Sequence, residues 1–75
     1  MSSRKILDIN ENGKHIVCIK TDSKCNPYRI YDLYLENGSQ HRKLLEKYDD
    51  FDSTMLHVTY LMSDSFRQMY NKLYA

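Results

Sequence analysis

The chain has no tryptophan, one proline, two glycines and two cysteines among its 75 residues. With Pro27 as the lone proline and 41% hydrophobic residues, it is neither collagen-like nor a low-complexity disordered segment. Cys18 and Cys25 are too few to form the disulfide framework on which small secreted domains rely. No apolar run approaches the roughly 20 residues that span a bilayer. Behind Arg4 and Lys5 no apolar stretch develops before Asp8, Asn10 and Glu11, so no secretory signal is read and a cytoplasmic protein is expected. Eleven Lys and Arg against ten Asp and Glu leave a formal charge of +1, which removes bulk electrostatics as a guide to partners.

What is present is aromatic and concentrated in one residue type. Seven Tyr and two Phe make up the aromatics. A chain of this length is expected to form one domain over 1–75, burying only about 60–65% of its unfolded surface. The core must be thin.

Two Asn-Gly pairs, Asn12-Gly13 and Asn37-Gly38, sit between segments rich in β-branched and aromatic residues. Asn-Gly in that setting is the strongest short-range hairpin signal, because both central residues must take positive φ. Two-residue loops then dictate registers. In the first hairpin Glu11 faces Lys14, Ile9 faces Ile16, Leu7 faces Cys18 and Ile6 faces Ile19. In the second, Asp32 faces Lys43, Tyr31 faces Leu44, Ile30 faces Leu45 and Arg29 faces Glu46. The pairs match apolar with apolar and acid with base, worth roughly 0.2–1 kcal/mol each. The return segment Arg42-Lys43-Leu44-Leu45-Glu46-Lys47 consists of good helix formers, so a short helix over 40–50 is the competing assignment. Between the hairpins, Thr21 to Pro27 is a loop by composition.

After Asp49, Asp50 and Asp52 a stripe of Met55, Val58, Met62, Phe66, Met69 and Leu73 recurs every three or four residues. Acidic residues suit the positive end of a helix dipole, so the spacing predicts a helix over 52–74, continuous or restarted near Ser63-Asp64. A second stripe, Leu56, Tyr60, Ser63, Arg67, Tyr70 and Tyr74, forms a tyrosine-rich flank. It reads either as cover for the core edge or as a dimer contact. The expected fold is α+β: two antiparallel hairpins over 4–48 making one ββββ sheet, then a long C-terminal helix on one face. The alternative is βββ with two helices.

Alternation along strands divides each hairpin into two faces. Leu7, Ile9, Ile16 and Cys18, with Tyr31, Leu33, Leu35 and Leu44, are the denser apolar set and are expected to take the helix. The reverse face then carries Ile6, Val17, Ile19, Tyr28, Ile30, Tyr34 and Leu45 among Asp8, His15, Asp32, His41, Lys43 and Lys47. An apolar patch inside a polar rim marks an interaction site. The expected partner-binding residues are therefore Ile19, Tyr28, Ile30, Tyr34, His41 and Lys43.

Catalytic and metal chemistry find little support. His15, Cys18, Cys25, His41 and His57 lack the compact spacing of zinc ligands, and a three-residue step along a strand parts His15 from Cys18. The aspartates before the helix accompany no phosphate loop and no nucleophile motif. No cofactor, no metal and no enzymatic activity are expected. Nucleic-acid binding competes more seriously. Residues 1–47 carry nine Lys and Arg against six acids, whereas 48–75 carry two against four. His41, Arg42, Lys43 and Lys47 would meet phosphates while Tyr28 and Tyr34 stacked on bases. Against this, a net +1 supplies a weak field for counterion release. The expected function is a non-catalytic interaction or regulatory module that binds a protein partner or a second copy of itself. Small near-neutral domains of this kind often serve as accessory or inhibitory proteins of mobile elements.

Overall fold

Four strands follow one another in sequence and in space: β1 (Arg4–Glu11), β2 (Lys14–Lys20), β3 (Tyr28–Glu36) and β4 (Ser39–Tyr48). They form a single antiparallel sheet in the order β1-β2-β3-β4, and helix α1 (Phe51–Met62) follows. This is a computed structural model, and it describes residues 2–11 and 13–62. The expected α+β architecture, one ββββ sheet and then a helix, is what the chain adopts. The predicted continuation of the helix through Phe66, Met69, Tyr70, Leu73 and Tyr74 lies outside the described residues. No helix among the described residues is long and apolar enough to cross a membrane.

The turns behave as their sequences require. Asn37 and Gly38 sit at φ 53° and 78°, and Gly13 at 77°. Such torsions give a two-residue loop the twist that antiparallel strands need. The helix assignment for 40–50 is overturned: β4 runs unbroken to Tyr48. Pairing with β3 satisfies the backbone groups on its inner edge, and tertiary pairing outweighs a propensity of a few tenths of a kcal/mol per residue.

Near each turn the observed registers are those expected, including Leu7 opposite Cys18 and Asp32 opposite Lys43. Farther from the turns both shift by one. Lys5, not Ile6, lies opposite Ile19, because Ile6 is an extra residue on β1. On β4 Leu45 is the extra residue, so Ile30 lies opposite Glu46 and Arg29 opposite Lys47. Both bulges fall on the outer strands of the sheet, where an interrupted ladder discourages pairing with other chains.

Helix α1 is capped by Asp50, whose carboxylate accepts the Ser53 amide at 2.8 Å. This bond holds the Asp50 carboxyl below its ordinary pKa. Thr54, Val58 and Met62, four residues apart, form the buried stripe. Thr54 can be buried because its hydroxyl donates to the Asp50 carbonyl at 2.8 Å. The core consists of Val58 and Met62 against Ile16, Cys18 and Ile30, with Ile6, Leu7, Ile9, Leu45, Tyr48, Met55 and Leu61 around it. At its edge the Tyr48 hydroxyl meets His57 Nδ1 at 2.5 Å, tying β4 to the helix. At the far end Lys14 Nζ donates to the Leu61 carbonyl at 2.9 Å.

Candidate functional site

The core settles which face of each hairpin the helix covers. In the first hairpin the expectation holds for Leu7, Ile9, Ile16 and Cys18, which lie toward α1, but Ile6, expected on the open face, is the extra residue of the β1 bulge and packs against the core as well. In the second it is reversed. Ile30, placed by sequence reasoning on the open face, is 0% exposed beneath the helix, and Leu45 packs beside it. The cause is the pairing of β2 with β3, which sets Cys18 directly opposite Ile30 and so puts both on one face. Tyr31, Leu33, Leu35 and Leu44, expected under the helix, therefore belong to the other face.

That helix-free face can be read across the four strands from the pairings. It holds Lys5, Asp8 and Asn10 from β1, and His15, Val17 and Ile19 from β2. From β3 come Arg29, Tyr31, Leu33 and Leu35, and from β4 Gln40, Arg42, Leu44 and Lys47. No described element packs over it. Val17 is buried by its neighbours, Ile19, Tyr31 and Leu33 are half-buried, and Leu44 and Leu35 stand 42% and 75% exposed.

Charges surround this apolar centre, and most are of one sign. Lys5, Arg29, Arg42 and Lys47 face one acid, Asp8. Lys5 Nζ meets Asp8 at 2.9 Å, and His15 Nε2 lies 2.6 Å from the other Asp8 oxygen. The Lys5 and His15 hydrogen bonds hold the Asp8 carboxyl below its usual range. Among the described residues no carboxylate pairs with Arg29, Arg42 or Lys47. Arg29 and Lys47 are directly opposite each other, a like-charge arrangement that costs stability in a sheet. Arg29 Nε is buried without a hydrogen-bond partner among the described residues. The Arg42 guanidinium lies over the Tyr31 ring, 4.5 Å from its centroid.

Of the expected partner-binding residues, Ile19 alone is on this face. Tyr28, Ile30, Tyr34, His41 and Lys43 are on the helix side. Tyr28 makes an edge contact with Phe51, and Lys20 Nζ lies 5.4 Å above its ring. Tyr34 stacks on His41. The residues considered for phosphate binding are divided by strand alternation and the Leu45 bulge, with Arg42 and Lys47 on the helix-free face and His41 and Lys43 on the other. On the helix, Leu56 and Tyr60 are exposed, while Tyr70 and Tyr74 lie outside the described residues.

Sequence reasoning missed Arg29, Tyr31, Leu33 and Leu44 as members of the helix-free face. Among the described residues no group of three or more His, Cys, Asp or Glu is placed to hold a metal. Cys18 is buried in the core, and burial pushes its thiol up to about 11. No protein-family model, curated protein or solved structure matches the chain.

Proposed function

We propose that the protein is a non-catalytic interaction module that docks a partner protein on the helix-free face of its sheet. One observation carries this reading. The sheet buries one face under α1 and offers on the other an apolar centre of Val17, Ile19, Tyr31, Leu33 and Leu44 within a rim of Lys5, Arg29, Arg42 and Lys47. An apolar centre with a polar rim is the anatomy of a protein interface, in which the rim gives orientation and the centre gives most of the affinity. Arg and Tyr, both present here, are the residues over-represented at such surfaces.

Nucleic-acid binding draws on the same cations, but the strand tyrosines that would serve as stacking platforms are already engaged. Tyr31 is capped by Arg42, Tyr28 is engaged by Phe51 and Lys20, and Tyr34 by His41. A base would have to displace a partner already in place.

The test is affinity capture from extracts of the source cell with wild type, Leu44→Asp and Tyr34→Ala. Leu44 and Tyr34 are equally exposed but on opposite faces. The expected result is a protein retained by wild type and Tyr34→Ala and lost with Leu44→Asp, all three melting alike. Retention by Leu44→Asp would remove this face from the function.

A further inference from the structure

The cations of the helix-free face are placed at a cost to the fold, and that placement specifies the occupant. Arg29 and Lys47 are cross-strand neighbours with no described carboxylate between them. A register without the Leu45 bulge would have set Arg29 against Glu46, an attractive pair. The bulge instead turns Glu46 to the helix side and brings Lys47 beside Arg29. Arg42 stands on the same face, roughly 13 Å away, the four-residue step from Leu33 to Arg29 on β3 at about 3.3 Å per residue. Between these two positive positions lie Leu44 and Tyr31, paired across the strands.

From this arrangement we infer that the occupant is an acidic, amphipathic segment of another protein. Its carboxylates engage the Arg29–Lys47 pair at one end and Arg42 at the other, and an apolar side chain between them rests on Leu44 and Tyr31. This rests on the reading of the helix-free face as the docking surface. Charge complementarity selects the occupant. A second copy meeting the face through a twofold axis would set the same cations against themselves, and like charges across an interface are strongly unfavourable. A nucleic-acid strand would also satisfy the cations, since phosphates fit the bidentate fork of Arg as carboxylates do, but it would waste Leu44 and Leu33, and a base could stack on Tyr31 only by displacing Arg42.

The experiment measures fluorescence anisotropy of three labelled probes on the full chain. They are a short peptide alternating Glu with Leu and Phe, the same peptide with Lys for Glu, and an oligothymidylate. The acidic peptide is expected to bind, and Arg42→Glu combined with Lys47→Glu to weaken it by about tenfold or more, as charge reversal at a complementary rim does. Lys43→Glu, on the opposite face of the same strand, is expected to change affinity less than about twofold. Raising ionic strength from about 0.05 to about 0.3 M is expected to weaken binding several-fold. Tighter binding of the oligothymidylate, an equal loss in Lys43→Glu, or no binding of the acidic peptide overturns the inference. If the peptide fails while Leu44→Asp still abolishes capture of the cellular partner, the docking face stands and its preference for acidic partners falls.

Discussion

Lys5 and Asp8, three residues apart on β1, meet at 2.9 Å on one face of the sheet. In a regular strand a three-residue step crosses the sheet; the extra residue at Ile6 restores them to the same side. The bulge thereby also sends Ile6 into the core with Leu7 and builds the Lys5–Asp8–His15 cluster.

That cluster gives the acid limb of the stability curve a definite sign. The folded-state pKa of Asp8 is depressed, so its contribution is present above the unfolded value of about 3.9 and is lost as pH falls through the folded value. Asp50, depressed by its bond to Ser53, behaves likewise. Thermal melts between pH 6 and 3 are expected to show a shallower loss in Asp8→Asn and in Asp50→Asn than in wild type. Wild-type slopes in both variants would remove these carboxylates from the acid response.

Side-chain truncation distinguishes the two faces. Ile30→Ala removes a fully buried side chain and is expected to cost about 2–5 kcal/mol in urea unfolding. Leu44→Ala and Tyr34→Ala, both substantially exposed, are expected to cost less than about 1 kcal/mol. Comparable costs at Ile30 and Leu44 would contradict the face assignment.

Gly38 needs no space but does need its torsion. Its φ is 78°, and nothing lies within 4 Å of where a Cβ would stand. Gly38→Ala should therefore destabilise by roughly 1–2 kcal/mol, the left-handed penalty of an L-residue, with no packing contribution. The hairpin's amide shifts are expected to stay in place, which NMR would check.

Tyr48→Phe deletes the hydroxyl that meets His57 Nδ1. The expected loss is about 0.5–1.5 kcal/mol, typical of a hydrogen bond with partial solvent access. An unchanged urea midpoint would show that water replaces the hydroxyl at no cost.

The two thiols are expected to react in sequence. Cys25 is exposed and Cys18 is buried with its thiol pushed up to about 11. An aromatic disulfide reagent should modify Cys25 promptly in the native protein and Cys18 only on unfolding. Simultaneous modification would mean that the core opens readily.

The local features were legible because their causes are local. Asn37-Gly38 demands positive φ, Asp50 caps the helix that follows it, and Val58 and Met62 repeat at helical spacing. The helix alternative for Arg42 to Lys47 arose because propensity carries no information about the neighbouring strand. Thr54 was invisible as a core residue because its burial depends on a bond to a backbone carbonyl. The assignment of Ile30 to a partner surface failed for a related reason: apolar density along β3 and β4 is nearly equal on both sides.

By itself, then, the sequence determines the two tight turns, the pairings nearest them and the start of the helix, while it leaves residues 40–48 open between strand and helix. Each follows from torsional preference, capping or alternation within a few residues. Tertiary structure alone decides where the ladder takes an extra residue and which side of the second hairpin meets the helix. With a side-chain period of two, one residue at Leu45 and one register between Cys18 and Ile30 exchange core and surface. Shared burial against Val58 and Met62 makes that choice, and it leaves Arg29, Arg42 and Lys47 together on the face that remains.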